Sequence, residues 1–193
     1  MPPVEVEARV LVAGAHQDPE YVVGYLGAYR LLISDLVLVT MSEEPMADEA
    51  RVRDLVRRIG EIRPDLPVVP TVFRPRPVGD VLGKRVAYVS TAPEAVLGKL
   101  ARHLEEGYGC EVVAASGNLS DRRRLAEDLD RMPPVEAYLT EIKAAAVDVV
   151  TRRGSEEGKP VLYCDNDPLG EGLDEALLRL ARESAGRSGG AGV

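Results

Sequence analysis

"DLVLVTMSEEPMADEARVRDLVRRIGEI", residues 35–62, is the stretch from which the fold is read. Its first six residues, Asp35–Thr40, are a near-continuous apolar run, as expected of a strand buried on both faces in a parallel sheet. A polar loop follows, and then Val52, Leu55, Val56 and Ile59 recur at helical spacing, with Arg53, Asp54, Arg57 and Arg58 on the opposite face. A buried strand, a loop and an amphipathic helix make one βα unit, and the helix must lay its apolar stripe on a sheet.

The same unit recurs along the chain. Strands are expected at Arg9–Ala13, Val68–Phe73, Arg85–Ser90, Glu111–Ala115, Glu136–Leu139 and Val161–Cys164. Helices are expected at Glu20–Leu31, Asp48–Ile62, Glu94–Glu106, Asp121–Asp130, Ala144–Arg153 and Leu173–Ala185. This alternation predicts a doubly wound α/β fold, a mostly parallel sheet with helices on both faces and right-handed crossovers, Rossmann-like or partly P-loop NTPase-like. The Pro- and Gly-rich "FRPRPVGDVLGK" divides it into two lobes: an α/β lobe over 1–73, a crossing over 74–84 and a Rossmann-like lobe over 85–185. Residues 186–193, in the Gly-rich "SAGRSGGAGV", read as a flexible tail.

Composition narrows the functional classes. The chain has 193 residues, 45% hydrophobic and 29% charged, enough to bury a sizeable core. No apolar stretch reaches membrane-spanning length and no secretory leader is recognisable, so a cytoplasmic location is expected, without membrane association. A net charge of −8 with no basic tract argues against nucleic-acid binding. Aromatic content of 4%, no tryptophan and a basic set dominated by arginine point to a thermophilic source. Cys110 and Cys164 sit in separate apolar runs and read as core residues, and His16 and His103 are too isolated to form a zinc site. No metal site is assigned.

Ligands in open α/β sheets bind beyond the carboxyl ends of the strands. The residues placed there include Arg74 and Arg76, Thr91, Ser116 and Asn118, Thr140, Glu141 and Lys143, and Asp165 and Asn166. Hydroxyl, amide and glycine residues at helix starts let backbone N–H groups face an anion, although each also serves as an ordinary N-cap. In "SGNLSDRRRL" Arg122 is expected to reach back over a phosphate cradled at Ser116 and Asn118, or else Asp121 caps a helix whose arginines face water. Lys143 is unfavourable at a helix start unless an anion or Glu141 accompanies it. Neither "VAGAHQ" nor "GDVLGKR" has a dinucleotide or Walker A spacing. These residues reach a phosphometabolite-binding α/β protein.

Longer strings carry a family resemblance. "GYLGAYRLLISDLVLVTMSEEP", "TVFRPRPVGDVLGKRVAYVSTAP", "HLEEGYGCEVVAASGNLSDRRRL", "TEIKAAAVDVVTRRG" and "VLYCDNDP" together resemble the cyclic 2,3-diphosphoglycerate synthetases. The resemblance implies a ligase that uses ATP with Mg²⁺ to close 2,3-bisphosphoglycerate into its cyclic phosphoanhydride. It assigns Lys143, Arg76 and Glu141 as catalytic, and Arg74, Arg76, Thr91, Ser116, Asn118, Arg122, Thr140, Lys143, Asp165 and Asn166 as phosphate or substrate ligands. It further implies that this chain is the C-terminal portion, with the N-terminal P-loop region and its Walker A motif absent. Turnover is then expected to need a P-loop-bearing partner chain or the missing region, in an assembly that can be oligomeric. The alternative is a non-catalytic nucleotide- or phosphometabolite-binding module, or an assembly lobe.

Overall fold

Strand β1 (Val10–Gly14) opens the chain, followed by helices α1 (Pro19–Val23) and α2 (Tyr25–Leu32) and strand β2 (Leu36–Thr40). The structure, a computed structural model, describes residues 6–142 and 145–188. The helix expected over Glu20–Leu31 is two helices, because Gly24 adopts extended backbone with ψ −172° and its N–H closes α1 on the Glu20 carbonyl. Asp48 then starts α3 (Glu49–Ile62), its carboxylate accepting from Arg51 N at 2.7 Å. That cap satisfies one of the N–H groups a helix start leaves without a partner.

The strand expected over Val68–Phe73 is also two. β3 (Val68–Pro70) pairs with β2, whereas β4 (Val72–Pro77) joins a different sheet. Pro70 ends the first, and Thr71 between them still donates its N–H to Val39 O at 2.7 Å. Arg74–Pro77, expected in a loop crossing, are therefore strand residues. β5 (Arg85–Val89), α4 (Glu94–Tyr108), β6 (Glu111–Ser116), α5 (Arg122–Arg131), β7 (Ala137–Glu141), α6 (Val147–Glu157), β8 (Val161–Leu169) and α7 (Leu173–Ser188) complete the order. No helix among the described residues is long and apolar enough to cross a membrane.

The described residues fall into two compact units, one drawn from Met1–Phe73 and Pro168–Val193, the other from Arg74–Asp167. In the first, β1, β2 and β3 form a parallel three-stranded sheet in that order. Strand alternation gives it two buried faces: Val37 and Val39 pack with Leu31, Leu55 and Ile59, while Leu36 packs with Val69, Leu173 and Leu180. Helix α7 thus belongs to this unit, whereas the sequence reading put residues through 185 in the second lobe. The apolar face of α7 meets Leu36 and Val69, a pairing far apart in sequence.

The second unit holds the sheet β4-β8-β7-β5-β6, with β5–β6, β5–β7 and β7–β8 parallel. Val86 and Tyr88 pack with Leu100 and Leu104 of α4 on one face, and Ala87 and Val89 pack with Leu125 of α5 and Val149 and Val150 of α6 on the other. Each fully buried leucine or valine contributes roughly 1.5–3 kcal/mol. The chain is therefore an α/β protein built on partly parallel sheets with flanking helices.

Candidate functional site

From β5 the chain goes through α4 to β6, then returns through α5 to β7 on the other side of β5. Because α4 and α6 leave β5 and β7 on opposite faces, a crevice opens between the carboxyl ends of these two strands. Such a reversal of strand order is where doubly wound sheets bind ligands.

Glu141, the last residue of β7, lies in this crevice at 9% exposure. Ser90 Oγ donates to its Oε1 at 2.6 Å, Thr91 Oγ1 to its Oε2 at 3.0 Å, and Thr91 N to the same oxygen at 3.4 Å. Ser90 Oγ in turn accepts from Ala92 N at 2.9 Å, which fixes the start of the β5–α4 loop. Thr140 is fully buried beside them, opposite Val89 in the β5–β7 register. Among the described residues no ion pair neutralises Glu141, and hydrogen bonds from Ser90 and Thr91 hold its carboxylate. Lys143, expected as the cation here, lies outside the described residues.

The carboxylate marks its neighbours. Burial, and then the charge of Glu141, pushes the Cys164 thiol up to about 12. Cys164 pairs with Glu141 in the β7–β8 register. Burial also raises the Tyr88 phenol, whose Oη approaches Ser90 without closing a hydrogen bond of good geometry. α4 begins after Pro93 with no side-chain cap, so its first-turn N–H groups have no side-chain acceptor.

The other expected residues are arranged differently from the sequence reading. Arg76 is engaged with two carboxylates, Nε to Asp167 at 2.7 Å and Nη2 to Asp165 at 3.0 Å. The Asp167 hydrogen bond, then the Asp167 charge, holds the Arg76 guanidinium above its usual range. Asp165 is thereby committed to an arginine, not displayed as a free oxygen ligand, while Asn166 is exposed beside it. Arg74 acts on His103, whose imidazole is held down chiefly by burial and then by the Arg74 charge.

Ser116 and Asn118 are not open to a phosphate either. Ser116 Oγ donates to Asp128 Oδ2 at 2.6 Å and Asn118 Nδ2 donates to the same oxygen at 2.8 Å. Arg122 does not reach back over them; it donates to Asp148 Oδ2 at 2.7 Å and Ala145 O at 2.8 Å, tying α5 to the start of α6. The helix-start alternative holds for Asp121, which accepts from Arg123 N and Arg124 N.

Two participants escaped the sequence reading. Ser90, expected as the last residue of a strand, instead follows β5, which ends at Val89. Asp128 sits on α5 between the inward-facing Leu125 and Leu129, and a carboxylate on that flank was the available signal.

Residues 1–72 match the cyclic 2,3-diphosphoglycerate synthetase P-loop domain, and residues 77–167 match the C-terminal domain of the same synthetase. The P-loop domain is therefore represented in this chain. The expectations that this chain is the C-terminal portion alone, that the P-loop region and its Walker A motif are absent, and that a P-loop-bearing partner or a missing N-terminal region is needed are overturned. Among curated proteins the chain is similar to the cyclic 2,3-diphosphoglycerate synthetase of Rubrobacter xylanophilus, at 76% identity over 100% of this chain and 44% of that protein. It is also similar to those of Methanothermus fervidus, at 45% identity over 88% of this chain and 37% of that one, and Thermococcus gammatolerans, at 45% over 96% and 42%. The chain thus spans less than half the length of these relatives. A solved arylmalonate decarboxylase, at 13% identity and a TM-score of 0.33, is too remote to bear on the fold. With both domains matched in order and identity this high across the whole chain, the chain belongs to the cyclic 2,3-diphosphoglycerate synthetase family.

Proposed function

We propose that this chain takes part in closing 2,3-bisphosphoglycerate into its cyclic phosphoanhydride, with the bisphosphate seated at the β5/β7 crevice. The observation that carries this reading is Glu141, a buried carboxylate at the reversal of strand order, held by Ser90 and Thr91. A carboxylate so placed repels a phosphate unless a cation stands between them, so the crevice is built for a phosphate that arrives with one. One carboxylate and one hydroxyl suit Mg²⁺, which takes its remaining ligands from phosphate oxygens and water. Among the described residues no group of three or more His, Cys, Asp or Glu side chains is placed to hold a metal ion by itself.

ATP with Mg²⁺, when bound, supplies the activated phosphoryl group. The residues of this chain bring the two phosphoryl groups of one substrate together and spread their charge, which is the main demand of phosphoryl transfer. Thr91 and the open first turn of α4 orient the phosphate nearest Glu141, and Thr140 backs that carboxylate from the strand. Lys143, two residues beyond Glu141, and Arg74 supply further positive charge, and Arg76 does so once it leaves Asp165 and Asp167. Asn166 offers its exposed amide to the glycerate. Ser116, Asn118 and Arg122 keep a supporting part, holding the loops after β6 and β7.

In this reading residues 1–73 of the first unit are the part of the P-loop domain represented here, and the second unit is a Rossmann-like lobe. The protein works in the cytoplasm. The test is phosphorus NMR of the purified chain with Mg-ATP and 2,3-bisphosphoglycerate. Saturable perturbation of the bisphosphate resonances supports the reading, and resonances that do not respond to the protein sink it.

A further inference from the structure

On the α4 face of the second sheet, the carboxyl ends of three adjacent strands carry one polar row. Val89 pairs with Thr140 and Glu141 pairs with Cys164 in the two parallel ladders, so Ser90, Glu141 and Cys164 stand side by side at the ends of β5, β7 and β8. Two residues back along each strand lie Tyr88, Leu139 and Leu162, on the same face because side chains alternate. Tyr88 is fully buried in this second row, and its Oη finds no hydrogen-bond partner among the described residues.

A phenol kept from water in this way is costly, because a buried donor left unsatisfied loses more than an ordinary hydrogen bond contributes. Burial raises the phenol well above its ordinary range, so it stays protonated and remains a donor. The acceptor it faces is Ser90 Oγ. That oxygen already donates to Glu141 Oε1 at 2.6 Å and accepts from Ala92 N at 2.9 Å, and a hydroxyl has a second lone pair to offer. The neighbours in the second row, Leu139 and Leu162, are apolar, and Cys164 Sγ is turned to Asp165 O at 3.4 Å. Ser90 is thus both the last hydrogen bond open to Tyr88 and a direct holder of the crevice carboxylate.

We propose that Tyr88 is a positioning residue for the crevice, its phenol donating to the open lone pair of Ser90 Oγ when a cation and a phosphate load Glu141. This rests on the reading of the crevice as the seat of the bisphosphate. A cation at Glu141 competes with Ser90 for Oε1, and a hydroxyl drawn less strongly to the carboxylate settles toward the row below, where Tyr88 stands. Tyr88 then keeps Ser90 in place, and Ser90 keeps Ala92 N, so Thr91 and the first turn of α4 hold their aim while Glu141 is engaged. Tyr88 touches no ligand and acts through Ser90. Its donor is unsatisfied in the free chain and satisfied in the loaded one, and that difference contributes to affinity.

The test compares the chain with Tyr88→Phe, which keeps the ring and removes only the hydroxyl. Without ligand, Tyr88→Phe is expected to melt about 2–4 °C higher, because it lacks the unsatisfied group. With Mg²⁺, its calorimetric affinity for 2,3-bisphosphoglycerate is expected to fall about fivefold, the effect of losing one neutral hydrogen bond. Loading the parent chain is expected to red-shift the near-ultraviolet tyrosine band as the phenol begins to donate, a change absent from Tyr88→Phe. In a folded Ser90→Ala background, the effect of Tyr88→Phe on affinity is expected to vanish. A lower melting temperature for ligand-free Tyr88→Phe, equal affinities of two proteins that both bind, the same spectral shift in both, or an effect that persists without Ser90 overturns the proposal and leaves the crevice reading standing. No binding by the parent chain sinks the crevice reading and this inference with it.

Discussion

Glu141 has the clearest signature of any side chain in this protein, because its charge and its burial pull in opposite directions. A buried charge is costly, and the hydroxyls of Ser90 and Thr91 offset part of that cost. Glu141→Gln keeps the size and an acceptor for Ser90 but removes the repulsion of phosphate. Binding of 2,3-bisphosphoglycerate without Mg²⁺ is expected to strengthen in this variant and the response to Mg²⁺ to vanish, as read by calorimetry with and without the metal. Arg76 makes a second test. Asp165→Asn with Asp167→Asn releases its guanidinium, so bisphosphate affinity is expected to rise, most at low salt; an unchanged affinity removes Arg76 from the site. Cys164 gives a pH dependence. Its thiol rises from the ordinary 9.0 to about 12 in the fold, so the neutral thiol favours the folded state below pH 9, and that contribution is lost as pH climbs from 9 toward 12. Urea melts across that window should show a fall in stability that Cys164→Ala reduces, with the buried Tyr88 phenol accounting for part of what remains.

At the scale of elements, what was legible in the sequence is what depends on neighbours along the chain. The apolar runs of β2 and β5 and the stripe Val52, Leu55, Val56, Ile59 of α3 announce themselves because burial on both faces, or on one helical stripe, leaves a period in the residues. The break at Gly24 and the split at Pro70 and Thr71 did not, because each is decided by where the following segment finds its partner. Asp128 was hidden for the same reason: only the fold brings α5 against the end of β6. Helix ends give a prediction at this scale. α4 and α6 both close on a left-handed glycine, Gly109 at φ 66° and Gly158 at φ 65°. A Cβ at Gly158 meets nothing within 4 Å, so Gly158→Ala is expected to cost about 1 kcal/mol in backbone strain alone. A Cβ at Gly109 falls 2.7 Å from Leu82 Cδ1, so Gly109→Ala is expected to cost more, and equal losses in denaturant melts would contradict the comparison.

For the whole molecule, the fold class followed from the βα alternation, but the strand order β4-β8-β7-β5-β6 did not, since it depends on pairings between strands that are not consecutive in the chain, such as Val86 of β5 with Ala137 of β7. That order is what brings Ser90 and Thr91 to Glu141. The P-loop region was misjudged because it was sought as one short glycine–lysine string, whereas the family match extends over the strands and helices of residues 1–72. The placement of Arg122 shows the complementary error: a residue close in sequence to a loop was assumed to serve it, and the fold gave it Asp148 instead. The proposed function rests on the crevice between β5 and β7. The most direct measurement is therefore the affinity of the chain for 2,3-bisphosphoglycerate in the presence of Mg²⁺, by calorimetry, beside that of a folded Thr91→Val variant. The account predicts saturable binding that weakens at least tenfold when the Thr91 hydroxyl is removed, and equal affinity of the two proteins, or no binding by either, would contradict it.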